Sequence, residues 1–319
     1  MQQNILFSIT IPAYKSKYLK EAIDSCLLQS YTNFELIIVD DASPENLHEI
    51  VSQYHDKRIR YYRNKKNCGA LHVVDNWNIC LSYCKGEYVI CMGDDDKLKS
   101  CCLEQYAELI AKYPEKKVFH ALTELIDEDG HIIKHLSLHN ETESVLSMIW
   151  NHWNGDVQYI GDFCFHIEQL RQDGGFFRQP LAWGADDITT ARAASYSGVA
   201  NTQKVCFQYR ENHQTISRGG NSKIKLEAKL LEKKWFADFL QIYNMKSEDD
   251  NVLYRKIQKE FESHYHGQML QYMKEYMQES LWNVFTLLYA AEYYCVKRKD
   301  ILKLFLKVVN YQLKYSHDE

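Results

Sequence analysis

Tyr88-Val89-Ile90-Cys91-Met92-Gly93 runs directly into Asp94-Asp95-Asp96. The apolar run reads as a buried strand, and a strand of that kind normally ends in a turn with one acidic residue. Three adjacent carboxylates repel one another, and a divalent cation among them relieves the repulsion. Hard ions such as Mg²⁺ or Mn²⁺ take oxygen ligands and keep coordination positions open for water and phosphate. A solvated acidic loop is the competing reading, so the surrounding sequence has to decide.

Upstream, strand-like and helix-like segments alternate. Phe7 to Ile11 is an apolar strand stopped by Pro12, and Ser16 to Ser30 is helical, with Ser16 placed to cap it. Phe34 to Val39 is a second apolar strand, ending at Asp40-Asp41. Leu47 to Tyr54 reads as a helix, Ile59 to Tyr62 as a strand and Ala70 to Tyr83 as a helix. Apolar strands alternating with helices predict an α/β fold, a mostly parallel, Rossmann-like central sheet flanked by helices. Ligands of such sheets bind beyond the carboxyl ends of the strands. Tyr14, Asp41 and Asp95 each follow such an end, so three polar signals converge on one edge.

Beyond residue 100 the pattern loosens. Leu103 to Tyr113 is a helix ended by Pro114. Val118 to Ile126 and His131 to Leu136 form a hairpin turned by Asp127-Glu128-Asp129-Gly130. Trp150 to Asp162 is aromatic and irregular, Gly174-Gly175 breaks the chain, and Asp186 to Tyr196 is helical. From about Lys223 the chain is almost wholly helical, which places a boundary near residue 220. Residues 1–220 form the α/β domain and 221–319 a helical region.

Composition narrows the function classes. The 319 residues carry a net charge of −5 and no block of basic residues, so nucleic acid is not an expected partner. Met1-Gln2-Gln3-Asn4 is uncharged and Ile5 to Ile11 too short for a signal peptide. Val284 to Val296 falls short of the ~20 apolar residues a membrane-spanning helix needs. Ten cysteines with no CxxC pair read as free thiols in a reducing compartment rather than as a zinc site. A cytoplasmic protein is expected, at most peripheral on the inner face of the membrane.

The ordered motifs resemble the family 2 inverting glycosyltransferases of the GT-A fold, over residues 6–220. The opening strand is Ser8-Ile9-Thr10-Ile11-Pro12-Ala13-Tyr14. Gln29-Ser30-Tyr31 and Phe34 to Ser43 follow, then Asn76-Trp77-Asn78 and Lys85-Gly86-Glu87-Tyr88-Val89. Asp94-Asp95-Asp96 stands as the DXD element. Gly174-Gly175-Phe176, Asp186 with Arg192, and Tyr209-Arg210-Glu211-Asn212-His213 complete the order. The resemblance implies a nucleoside diphosphate sugar donor, most readily a UDP-sugar, and a Mn²⁺ or Mg²⁺ cofactor. It implies a glycan or lipid-linked saccharide acceptor and a bacterial surface-polysaccharide setting.

Site roles follow from the same likeness. Pro12, Tyr14, Asp41, Asp94, Arg210 and His213 are expected at the nucleotide, with Asp41 accepting from uracil and Tyr14 stacking on a base. Asp40 beside them reads as a loop-orienting residue. Asp95 is the expected metal ligand, with Asp96 and His213 as further candidates. The family often has aspartate where this chain has Gly93. Asp186 maps to the general base, by counting back from Arg192, and Asp187 is its rival. The usual preceding glutamate is Ala185 here, and either aspartate could instead serve a helix N-terminus. Arg210 and His213 suit a basic lid over a diphosphate, and Trp153 and Trp183 could stack on acceptor sugars. The helical region suits packing, a homodimer contact, or acceptor and membrane contact. The rival readings are a nucleotidyltransferase, which normally carries a glycine-rich loop after the first strand, and a non-catalytic sugar-nucleotide-binding fold.

Overall fold

A computed structural model describes residues 4–212 and 221–315. It divides into two compact units, Met1–Ile216 and Ser217–Glu319.

In the first unit β1 (Phe7–Ala13), β2 (Phe34–Asp40), β3 (Ile59–Arg63) and β4 (Tyr88–Cys91) alternate with α1 (Leu19–Leu27), α2 (Leu47–Val51) and α3 (Val73–Tyr83). Then come β5 (Lys97–Leu98), α4 (Cys102–Lys112), β6 (Val118–Ile126), β7 (Ile132–His135), β8 (Thr142–Glu143) and α5 (Val145–Trp153). The unit closes with β9 (Phe163–His166), α6 (Ile167–Gln172), α7 (Ala185–Ala194) and β10 (Val199–Arg210). The strands form one ten-stranded sheet in the order β3-β2-β1-β4-β9-β6-β10-β5, with β7 on β6 and β8 on β10. β1 to β4 are mutually parallel, and β10 lies parallel to β6. β9 runs antiparallel between β4 and β6 and so returns β6 to the direction of β4. The expected α/β sheet with flanking helices is therefore present. Every residue of β2 is buried, as a strand covered on both faces must be.

The close approach of β4 to β1 rests on a buried polar node at their amino ends. Ser8 Oγ donates to Glu35 Oε1 (2.6 Å) and accepts from Gly86 N (3.0 Å), while Lys85 N reaches the same carboxylate (2.6 Å). Arg60 pairs with its other oxygen at 2.5 Å. A side chain at Gly86 would place its Cβ 2.5 Å from the Leu6 carbonyl, so only glycine permits this approach. The node sets the register that delivers β1, β2 and β4 to the opposite edge together.

Some local expectations need correction. Ser16 does not cap α1: the helix begins at Leu19 after Tyr18, and the Ser16 amide donates instead to Glu45. The stretch expected to be irregular from Trp150 is helical as far as Trp153, because α5 is capped by Ser144, whose side chain accepts from Ser147 N (3.2 Å).

The second unit consists of α8 (Ser222–Ile242), α9 (Glu248–Glu279), α10 (Asn283–Tyr289) and α11 (Arg298–Tyr315). Met269, Met273 and Met277 recur at four-residue spacing along α9 and bury against Leu226, Leu287 and Ile301. Trp282, Phe285 and Tyr289, spaced along one face of α10, are left 77%, 62% and 90% exposed. Among the described residues no helix is long and apolar enough to cross a membrane.

Candidate active site

The carboxyl ends of β1, β2 and β4 bring the first loop, Asp40-Asp41 and the acidic triplet to one edge, as parallel pairing requires. There the three aspartates of the triplet diverge. Asp94 Oδ2 accepts from the backbone amides of Tyr14 and Lys15, each at 2.7 Å. Asp96, buried, accepts from Arg210 N (3.0 Å) and Gly93 N (3.2 Å) with its two oxygens. Asp95 accepts from Asn212 Nδ2 at 2.6 Å through one oxygen. Gly93 is the reason they fit: a Cβ there would lie 2.7 Å from Asp95 Oδ1 and 2.9 Å from Asp96 Oδ2.

Asp96 is less available to a metal than Asp95, because each of its oxygens already accepts one hydrogen bond in closing the turn. Burial, and then the neighbouring Asp95, push the Asp96 carboxyl well up from its usual range. The same two causes, in the same order, raise Asp94 to about 6. Accumulated carboxylate repulsion of this kind is what a cation relieves. Hard oxygen donors suit Mg²⁺ or Mn²⁺, and Asp95 Oδ1 and Asp94 Oδ1 receive no hydrogen bond from the described residues. The residues therefore fit the ion, with Asp95 foremost. Among the described residues, the group of three potential ligands whose donor atoms already cluster is Asp127, Asp129 and His131. It is the β6–β7 turn, in which Asp127 Oδ1 accepts the amides of Asp129 and His131 (2.9 and 2.8 Å).

Arg210 is not part of a lid. Its side chain is fully buried. Nε donates to the Asp95 carbonyl (2.8 Å), Nη1 to the carbonyls of Asp127 and Glu128 (3.1 and 2.9 Å) and Nη2 to Glu21 (2.8 Å). The guanidinium also lies 4.2 Å from the Tyr18 ring centre. With its donors spent in this way it holds the acidic turn and cannot reach out to a diphosphate. His213, its expected companion, lies outside the described residues.

In the loop after β2, Asp41 accepts from Asn64 Nδ2 (2.8 Å) and from Cys68 N (3.0 and 3.1 Å). Asp40, fully buried, accepts from Ser43 N (2.7 Å), Tyr61 Oη (2.6 Å) and Arg63, the loop-orienting part expected of it. Ala42, which follows them, has φ +51°, a conformation costly for a residue with a Cβ and concentrated at functional sites. The Tyr14 ring is 40% exposed, and Ser43 Oγ donates to the Tyr14 carbonyl (2.6 Å). Pro12 is half-buried within β1, opposite Val39.

Asp186 and Asp187 open α7 after a strained approach, with Leu181 at φ +60°, Ala182 at φ +54° and Gly184 at φ +78°. The two are not equivalent. Asp187 is buried, accepts from Gln158 Nε2 (2.8 Å) and meets His152 Nε2 at 3.3 Å. Asp186 is half-buried and accepts from backbone amides, that of Asp187 at 3.0 Å. Burial, followed by the charge of Asp187, pushes it up to about 8. Tyr159 ties the regions together: Asp96 and Asp186 both raise its hydroxyl, behind burial and the nearer acids Asp162 and Glu211. Its ring stacks on Tyr209 at 3.6 Å. Trp153 ends α5 and Trp183 precedes α7, both half-buried. The sequence motifs contained Asn212 without revealing its bond to Asp95. Gln158, Tyr159 and His152 carried no signal at all.

Known proteins agree with this architecture. The model of the family described as Glycosyl transferase family 2 matches residues 8–167. An uncharacterized glycosyltransferase of Rickettsia typhi is 35% identical over 136 residues, 41% of this chain and 41% of that protein. WcaA of Escherichia coli, provisionally named a colanic acid biosynthesis glycosyl transferase, is 42% identical over 100 residues, 30% of this chain and 35% of it. The chain thus matches well under half the length of these relatives. The solved structure of Staphylococcus aureus TarS 1–349 with UDP-GlcNAc superposes with a TM-score of 0.67. That match covers 97% of this chain and 92% of the TarS chain, and at 14% identity it speaks for the fold alone.

Asp186 gives this site a stability signature. An unfolded aspartate titrates near ~3.9, whereas the folded group holds its proton until about pH 8. Between those values the native chain keeps a proton that the unfolded chain has lost, so this contribution to stability is full below pH ~4 and disappears as pH rises through 8. Asp186→Asn removes the titration. In calorimetry the variant is expected to melt with the wild type near pH 3–4 and above it at pH 8, each recovered kcal/mol adding roughly 2–4 °C. A melting gap that does not change with pH contradicts the assignment.

Proposed function

Because this chain belongs to glycosyl transferase family 2, we propose that it transfers a sugar from a nucleoside diphosphate sugar, a UDP-sugar first, to a hydroxyl of a glycan or lipid-linked saccharide, with inversion. The supporting observation is a pair of differently loaded acidic turns, one at Asp94-Asp96 and one at Asp186-Asp187, that both act on Tyr159. One leaves an Asp95 oxygen that would hold a cation; the other leaves Asp186 as its less engaged carboxylate. A cation on Asp95, with Asp94 beside it, would offset the charge that develops on the leaving diphosphate. Asp94 and the Tyr14-Lys15 amides fix the first loop, and Asp41 keeps lone-pair capacity for the uracil imide N–H. The acceptor hydroxyl gives its proton to Asp186 as its oxygen bonds the anomeric carbon. Only the ionised form of this carboxyl, whose share grows as pH approaches 8, is competent as the base, and the raised value lets it hold the proton once taken. Asp187, spent on Gln158 and His152, keeps its place in the helix. Nucleotidyl transfer is disfavoured because the first-loop amides that would cradle a triphosphate already serve Asp94. A cytoplasmic enzyme of surface-polysaccharide synthesis fits the named relatives.

The second unit supports contact with an anionic membrane surface. Trp282, Phe285 and Tyr289 offer an aromatic face, and Lys297, Arg298, Lys299, Lys303 and Lys307 are exposed on and beside α11. Aromatic residues seat in the interfacial layer, and each basic residue near an anionic surface adds about 1 kcal/mol.

Two measurements follow. UDP should bind at least about tenfold more tightly with Mn²⁺ or Mg²⁺ than with EDTA, ~1.4 kcal/mol, and Asp95→Ala should abolish the difference. Equal wild-type affinity in both conditions sinks the metal reading. The protein should also sediment with phosphatidylglycerol vesicles but not phosphatidylcholine vesicles, and lose this when Trp282, Phe285 and Tyr289 are changed to serine. If the serine variant binds vesicles normally, or turns a wild-type dimer into a monomer instead, the lipid assignment fails.

A further inference from the structure

Between α5 and β9 the chain passes from one acidic turn to the other. At Gln158 it is tied to the first turn of α7, Nε2 donating to Asp187 Oδ1 at 2.8 Å. At Gly161 it lies against the end of β4 and against β10. A Cβ on Gly161 would stand 3.3 Å from Met92 Cα and 2.6 Å from Phe207 Cζ, so a side chain there would push the segment off the end of β4. Tyr159 falls between these two fastenings.

Its setting is rigid. Tyr159 N donates to the fully buried Asp162 carboxylate at 3.2 and 3.3 Å. Thr123 Oγ1 donates to the same carboxylate at 3.2 Å, His120 Nε2 approaches it at 3.5 Å, and Tyr106 Oη donates to the Asp162 carbonyl at 2.9 Å. The Tyr159 ring lies parallel to that of Tyr209, with the centres 3.6 Å apart. Tyr209 immediately precedes Arg210, whose amide closes on Asp96 at 3.0 Å. The tyrosine thus stands beside the turn that carries Asp95, and it is only half-buried. Burial, then the acids Asp162, Glu211, Asp96 and Asp186, keep the phenol protonated, so it offers a hydrogen to an oxygen placed before it.

A single displacement dictates what occupies this place. The leaving oxygen and the incoming hydroxyl stand on opposite faces of the anomeric carbon. With the diphosphate at the Asp95 turn and the incoming hydroxyl at Asp186, the transferred ring lies between the two turns, as Tyr159 does. We propose that Tyr159 is a specificity-determining residue for the donor: its hydroxyl donates to a hydroxyl oxygen of the transferred hexose, while Asp162 and the Tyr209 ring hold it in place. The proposal rests on the roles given above to Asp95 and Asp186. Such a contact reads the sugar and leaves the nucleotide untouched, so the two halves of the donor separate in the test.

Tyr159→Phe removes the hydroxyl and keeps the ring on Tyr209. The probes are UDP, UDP-glucose, UDP-galactose and UDP-N-acetylglucosamine, each titrated by calorimetry in the presence of Mn²⁺. For the UDP-sugar that binds the wild type most tightly, the variant should lose about three- to tenfold in affinity, as for one neutral hydrogen bond. Its affinity for UDP and its melting temperature should stay at the wild-type values. An equal loss for UDP and UDP-sugar would make the phenol a support of the acidic turn and overturns the proposal. Unchanged affinity for both overturns it as well, whether or not turnover falls. If the wild type binds UDP and Tyr159→Phe changes nothing, the Tyr159 role fails alone. A wild type that binds no uridine nucleotide sinks the donor reading first, and normal turnover in Asp186→Asn sinks the base.

Discussion

The buried guanidinium of Arg210 is the constraint on which the acidic edge depends. Taking an arginine out of water costs several kcal/mol unless its donors are matched. Here they are shared among the turn after β4, the turn after β6 and Glu21 of α1, while the Arg210 amide closes on Asp96. The same guanidinium reaches the acidic triplet through the Asp95 carbonyl. The turn is consequently built before any ligand arrives. Preorganisation of this sort means that donor binding need not supply the energy to gather the carboxylates.

Once the edge is fixed, environment divides the labour among neighbouring acids. Asp40, Asp96 and Asp187 are buried and spend their oxygens on the chain around them. Asp95 and Asp186, each directly adjacent to one of these, are half-buried and less engaged. At Asp95-Asp96 and Asp186-Asp187 a structural member thus sits beside a more available one, whereas Asp41 is buried like Asp40. The strained backbone at Ala42 and at Leu181-Ala182 falls beside these acidic turns, where the surrounding packing must over-determine it.

The alternation of apolar strands with helices, and the polar residues at the strand ends, made the first sheet half and its edge legible in the sequence. β9 escaped because a four-residue antiparallel insertion, Phe163–His166, has no period of its own. β10 escaped because its middle, Asn201 to Lys204, is polar where register shifts interrupt its pairing with β6. Arg210 was misread for a related reason. An arginine after a strand looks like an exposed arm, and its burial depends on Glu21, 189 residues away in the chain. Position in a motif could not separate Asp186 from Asp187 either; the partners Gln158 and His152, on another part of the chain, do so.

The central claim is that one carboxylate, Asp186, takes the acceptor proton in a single displacement whose leaving diphosphate sits at the Asp95 turn. Its most direct measurement is the anomeric configuration of the sugar first released when a UDP-sugar with an α-linked hexose is hydrolysed, read by ¹H NMR before mutarotation. The account expects the β anomer, formed by one displacement. The α anomer as the initial product would require two displacements or attack from the leaving-group side, and would contradict it.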